Sequence, residues 1–179
     1  LLDWLAARPL IHRDVEDVLV HAGISPAWSL EEAQACADEV SAELRQPDRR
    51  PFLSRMYGNK PECWQQGLSV EERQRYAVNA LTRMRFVDEA GALLMKTKFG
   101  PDAAPSGVMP WFLAPHRRPQ GCRVFFGHWS MLGQIAWPDA GVWGLDTGCV
   151  WNGRLTAINR ETLEIVSVPA APGDGRSPI

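Results

Sequence analysis

Long apolar runs are missing from this sequence of 179 residues. No stretch approaches the ~18 consecutive apolar residues that a membrane-spanning helix needs, and no basic-then-apolar leader opens the chain. These absences give no sign of a membrane span or signal peptide, and a cytoplasmic protein is expected. Charge of one sign is also missing: 19 basic against 21 acidic side chains leave a net charge of -2. Duplex nucleic acid and anionic membranes are therefore not expected partners, and any anionic ligand must be held by a local cluster. The four cysteines, Cys36, Cys63, Cys122 and Cys149, include no C-x-x-C pair, which removes the usual zinc-knuckle and redox-dithiol readings. Internal repeats and low-complexity tracts are absent as well.

What is present reads as one domain of mixed α/β (α+β) class over residues 1–168, followed by a Pro/Gly-rich tail from 169 to 179. The chain opens inside an amphipathic helix pattern (Leu1, Leu2, Leu5). "PLIHRD" and "VEDVLVH" then read as a strand hairpin. Capping boxes Ser29/Glu32 and Ser69/Glu72 start two helices, the first ending before Pro47. "RFVDEAGALLMK" reads as two short strands about Gly91, and residues 100–119 as an irregular loop. The last third is β: "CRVFFGH", "VWGLDTG", "GRLTAI" and "TLEIVSV", with Asn152-Gly153 predicting a type I′ hairpin. Eight tryptophans are unusually many. Trp28, Trp64, Trp111 and Trp129 lie outside periodic helix faces, where they serve either as core fillers or as stacking platforms for a base.

Two stretches invite a chemical reading. In "VLVHAG" and "VFFGHW" an apolar strand runs into a histidine beside a glycine, at His21 and at His128. Strand-end imidazoles held rigidly can converge on one cation. Spacing alone leaves the alternative of hydrogen-bonded loop histidines open. Arg83 and Arg85 in "TRMRF" follow the second helix. At alternate positions of an extended segment they point to opposite faces, so only one of them easily faces a phosphate site. The competing role is that of helix-end arginines.

"LVHAGISPAW", "MYGNKPECW", "NALTRMRF", "FGHW" and "LDTGCVWNGRLTAI", in this order, resemble the bacterial symmetrical diadenosine tetraphosphatases, within the calcineurin-like metallophosphoesterase and phosphoprotein phosphatase group. The likeness runs along nearly the whole chain and matches the C-terminal two-thirds of that family. It implies part of a four-layer α-β-β-α sandwich whose N-terminal sheet half is absent, and an enzyme that hydrolyses diadenosine tetraphosphate to two ADP with two divalent ions, Mn²⁺ or Co²⁺. It further implies His21 and His128 as ligands of one metal, and Arg83, Arg85, Tyr57, Asn59 and Trp64 as substrate-binding residues, with Arg83 favoured over Arg85. Ala22 and Gly23 would keep room for the ion. The family's D-x-H, G-D-x-x-x-R-G and G-N-H-D motifs do not occur. No catalytic residue is therefore expected in these 179 residues, and at most a partial metal site. The chain by itself should be inactive, with the apolar faces of "VLV" and "VFF" lacking a partner layer and giving a route to self-association. Two other readings are a phosphoprotein phosphatase and a non-catalytic nucleotide-binding or interaction remnant of the fold.

Overall fold

The structure is a computed structural model that describes residues 1–97, 100–117, 121–171 and 173. Helix α1 (Leu2–Ala6) leads into strands β1 (Ile11–Asp14) and β2 (Asp17–Val20), an antiparallel hairpin. Helices α2 (Leu30–Leu44) and α4 (Val70–Thr82) begin at the two expected capping boxes, each with its reciprocal side-chain and backbone bonds. Between them lies α3 (Arg50–Arg55), not anticipated because Pro47 and Pro51 punctuate the segment; Pro51 falls in its first turn, where a missing N–H costs nothing.

Strand β3 (Phe86–Asp88) does not pair with a strand in "ALLMK". That segment forms only an isolated bridge, Val87 to Leu93, and the true partner is β4 (Val108–Pro110), inside the stretch read as an irregular loop. Strands β5 (Arg123–Phe126), β6 (Ala136–Trp137) and β7 (Val142–Gly144) complete a five-stranded sheet in the order β1-β2-β5-β7-β6. The segment "VWGLDTG" is divided. Its second half, β8 (Asp146–Thr147), joins β9 (Arg154–Ile158) and β10 (Ile165–Pro169) in a separate sheet. The turn at Asn152-Gly153 is not type I′. Asn152 alone is left-handed there, at φ 65°, and a 3₁₀ turn over Cys149–Trp151 precedes it. Gly153 is required by proximity instead, because a Cβ would lie 2.7 Å from the Gly148 carbonyl oxygen.

One core joins the sheet to the helices. Val18, Val20, Val124, Phe126 and Val142 meet Ala33, Ala37, Val40, Ala77 and Leu81 in a single buried cluster. Trp28, Trp111 and Trp129 are fully enclosed as core aromatics. On the opposite face of the sheet Phe125 stacks on Trp143 at 5.3 Å between ring centroids. The expectation that "VLV" and "VFF" expose apolar faces is therefore corrected: of those six residues only Leu19 is exposed. The open apolar face lies on the small sheet, where register puts Leu155 opposite Val168 and Ala157 opposite Val166. Thr147, Thr156 and Ser167 are hydrogen-bonded across its other face. Among the described residues no helix is long and apolar enough to cross a membrane.

Candidate metal and phosphate site

Strands β2, β5 and β7 run parallel, so their C-terminal ends emerge along one edge of the sheet, the edge at which parallel sheets present ligand-binding groups. Val20 pairs with Phe126, and the ladder is extended by one bond from the Gly127 N–H to the His21 carbonyl, 2.9 Å. On the other side the Leu145 N–H donates to Phe126 O, 2.8 Å, which carries Asp146 out along the same edge. This register brings two histidines 107 positions apart together: their ring centroids are 5.1 Å apart, inclined at 54°.

His21 is exposed and His128 half-buried. His128 adopts φ 63°, a left-handed conformation that is unfavourable for an L side chain and is kept only where the surroundings impose it. The surroundings include a bond of 3.1 Å between His128 Nε2 and the Arg83 carbonyl oxygen. A carbonyl only accepts, so Nε2 carries the proton and Nδ1 keeps its lone pair. Burial, then the Arg85 charge, then His21 hold the His128 imidazole down to about 4, against weaker opposition from Arg83 O and Asp146. At neutral pH the ring is uncharged, the form that ligates a metal.

Arg83 contributes its carbonyl to His128 and its side chain elsewhere. Nη1 donates to Asn79 Oδ1 at 2.7 Å and to Gly58 O at 3.4 Å, and Nη2 donates to Asn59 Oδ1 at 3.2 Å. Asn79, fully buried on α4, also donates to Gly58 O at 2.9 Å. The guanidinium is thus aimed by neutral groups; among the described residues no carboxylate pairs with Arg83 or Arg85. Of its roughly five N–H donors, three are engaged in these bonds, so Nε–H and one Nη2–H stay available to an anion. Arg85 is exposed and near enough for its charge to act on His128.

The structure therefore gathers His21, His128, Arg83, Arg85 and Asn59. Tyr57 is 69% exposed and precedes Gly58, whose carbonyl oxygen accepts from Arg83. The structure does not join Trp64 to this group: that ring packs edge-on to Trp28 at 5.3 Å and against Tyr76 at 5.4 Å. Gly23 is not a space for an ion. A Cβ there would meet the Trp111 ring at 2.5 Å and Met84 Cε at 2.9 Å, so the glycine admits Trp111 to the core. Sequence reasoning missed Asp146 and Asn79. A signal existed for each: Asp146 follows a strand end as the histidines do, and Asn79 precedes Arg83 by one helical turn.

Two imidazoles with converging rings, one held in its ligating tautomer, fit part of a metal site. Among the described residues no group of three or more His, Cys, Asp or Glu side chains is placed to hold an ion, so the pair supplies two ligands and the rest of the coordination must come from outside this group.

No protein-family profile matches the chain. A protein of Methylococcus capsulatus named symmetrical bis(5'-nucleosyl)-tetraphosphatase is 46% identical over 179 residues, which is 99% of this chain and 64% of that protein. The chain is similar to the symmetrical bis(5'-nucleosyl)-tetraphosphatases. Proteins of the same name from Cellvibrio japonicus (47% identical over 93% of this chain and 62% of that one) and Neisseria meningitidis (45% over 97% and 62%) agree. The chain thus spans a little under two-thirds of the length of these tetraphosphatases. A crystal structure of a candidate diadenosine tetraphosphatase superposes with a TM-score of 0.52 at 22% identity, covering 95% of this chain and 55% of that one. At that identity the likeness speaks for the mixed α/β fold alone.

Proposed function

We propose that this chain is the C-terminal part of a symmetrical bis(5'-nucleosyl)-tetraphosphatase, an enzyme that hydrolyses diadenosine tetraphosphate to two ADP. The observation that carries the reading is the strand-edge convergence of His21 and His128, 5.1 Å apart, beside Arg83, in a chain 46% identical to a protein of that name. A tetraphosphate is densely anionic and resists attack by hydroxide. Divalent ions, Mn²⁺ or Co²⁺, supply charge neutralisation and an activated water when bound.

Within that reading this chain's own residues have three tasks. His21 and His128 would hold one ion through imidazole nitrogens. Arg83 offers its two free N–H donors to phosphoryl oxygens, and the neutral clamp of Asn79, Asn59 and Gly58 O leaves its charge undiminished for the ligand. Arg85 adds a second cation on the histidine side. The bridging carboxylate, the ligands of the other ion and the acid for the leaving group belong to the N-terminal motifs, which would also complete a four-layer sandwich. The 179-residue chain alone turns nothing over.

The test is hydrolysis by the full reading frame, with products separated by chromatography. Two ADP per diadenosine tetraphosphate in the presence of Mn²⁺ or Co²⁺ is the expected result. ATP plus AMP, or turnover of a phosphoserine peptide with no action on the dinucleotide, would overturn it.

A further inference from the structure

The Arg83 guanidinium donates to Gly58 O and Asn59 Oδ1 on the loop after α3, while the Arg83 carbonyl accepts from His128 Nε2. Asn59, which accepts from Arg83 Nη2, is at the same time part of the wall of a cavity of about 520 Å³. That volume lies in the range of small-molecule pockets, roughly 300–1,000 Å³. Leu94, Met95, Pro105 and Val108 give it an apolar side, and Glu62, Lys96 and Thr97 a polar one. Its frame is set by the backbone: Leu93 N–H donates to Glu62 O at 2.8 Å, Leu94 N–H to Phe86 O at 3.0 Å, and the Thr97 hydroxyl to Leu94 O at 3.2 Å. None of these cavity residues except Asn59 has a part in the site described above.

Two other cavities lack this connection. One, about 800 Å³ between α1, α2 and α3, is lined by Leu2, Leu5, Leu10, Leu44 and Leu53 and shares no residue with the site. A third, about 430 Å³, borders Trp64 and His116 and shares no residue with the Arg83 clamp. Of these three, the cavity lined by Asn59 is the one that shares a residue with the Arg83 clamp.

We propose that this cavity binds the nucleoside of a nucleoside 5'-polyphosphate whose phosphates lie along Arg83. The proposal rests on the reading of the site as a polyphosphate site and extends it to the part of the ligand that carries no charge. A purine has two flat apolar faces and a polar edge. Met95 offers a polarisable thioether to such a face, with Leu94 and Val108 closing around it. Glu62 accepts hydrogen bonds from ribose hydroxyls, the use to which a carboxylate is put in dinucleotide folds. Lys60 Nζ pairs with the Glu62 carboxylate at 2.8 Å and orients it. The path from imidazole to cavity is continuous, from His128 Nε2 to Arg83 O, through the Arg83 side chain, to Asn59. Phosphate charge and nucleoside are thus read by adjoining but separate groups.

The experiment compares ADP with pyrophosphate, a similar anion without a nucleoside, by calorimetry on the 179-residue chain without divalent metal. ADP should bind at least tenfold tighter. Met95→Trp, which fills the cavity, should bring ADP down to the affinity of pyrophosphate. Glu62→Gln, which preserves the cavity's shape, should weaken ADP several-fold without weakening pyrophosphate, and it keeps the test open if the larger substitution misfolds. Equal affinity for the two ligands in the parent chain overturns the nucleoside pocket and leaves the anion seat standing. A preference for ADP that survives both variants places the nucleoside elsewhere and also overturns it. Failure of both ligands to bind at millimolar concentration overturns the pocket together with the anion seat. The enzymatic reading stands or falls separately, on the products of the full reading frame.

Discussion

His128 carries two opposing energies, and a pair of substitutions separates them. Its φ of 63° costs an L-residue about 1–2 kcal/mol relative to glycine. Its ring bond to the Arg83 carbonyl, 3.1 Å, contributes a net ~1 kcal/mol. His128→Ala keeps the backbone strain and loses the bond, so it should destabilise by about 1–2 kcal/mol once lost ring packing is included. His128→Gly loses the same bond but releases the strain, against ~0.5–1 kcal/mol of extra chain entropy in the unfolded state. The glycine variant should therefore be the more stable of the two by about 0.5–1 kcal/mol, reversing the usual order of alanine over glycine. Urea unfolding followed by tryptophan fluorescence measures the difference from the shift in midpoint at constant slope. An alanine variant as stable as the glycine one, or more so, would refute the argument that the site holds His128 in a strained conformation.

Other expectations are independent of that one. Gly23→Ala should destabilise by roughly 1–3 kcal/mol in a thermal melt, because its Cβ would press on the enclosed Trp111 ring; an unchanged melting temperature would contradict the packing. Arg123→Ala removes the 2.6 Å partner of the buried Asp17 carboxylate and leaves it, among the described residues, the ion pair with Arg160 at 3.5 Å, for an expected loss of about 2 kcal/mol or more in urea unfolding. Burial pushes the Tyr76 phenol up to about 12, although its bond with Ser25 acts in the opposite direction, and burial pushes the Cys36 thiol up to about 11. Both folded values lie above the unfolded ones, so their stabilisation is complete below the unfolded values and is lost as pH rises through the folded ones. Stability should fall across the alkaline range to about pH 12, and the double variant Cys36→Ala, Tyr76→Phe should fall less steeply. In the full reading frame Arg83→Ala should cost ~10²-fold or more in turnover of diadenosine tetraphosphate, as loss of one electrostatic donor does; unchanged kinetics would take Arg83 out of the site.

Local chemistry decided which elements could be read in advance. The two capping boxes and the apolar spacing behind them fixed α2 and α4, because both signals lie within one or two helical turns. The hairpin of β1 and β2 was legible for the same reason. The pairing of β3 with β4, across 22 residues, and the division of "VWGLDTG" between two sheets were not, since strand partners at that distance are chosen by tertiary packing. At the site, the strand-end position of His21 and His128 was visible, and the parallel register that unites them follows from topology alone. Gly23 was misread because a glycine beside a histidine looks the same in sequence whether it admits an ion or an indole. The neutral clamp on Arg83 stayed hidden because Asn79 reads as an ordinary helix residue until its burial is known. The tail assigned to residues 169–179 falls mostly outside the described residues.

The claim on which the functional account depends most is that one divalent ion touches both strand-end imidazoles. Titration of the chain with Mn²⁺, with the ring protons of each histidine assigned in the NMR spectrum, tests it directly. The resonances of His21 and His128 should broaden together, at the same low metal ratio, ahead of those of His12 and His116, and His21→Ala should protect His128. Broadening of one ring without the other, or of all four histidines in parallel, would contradict it.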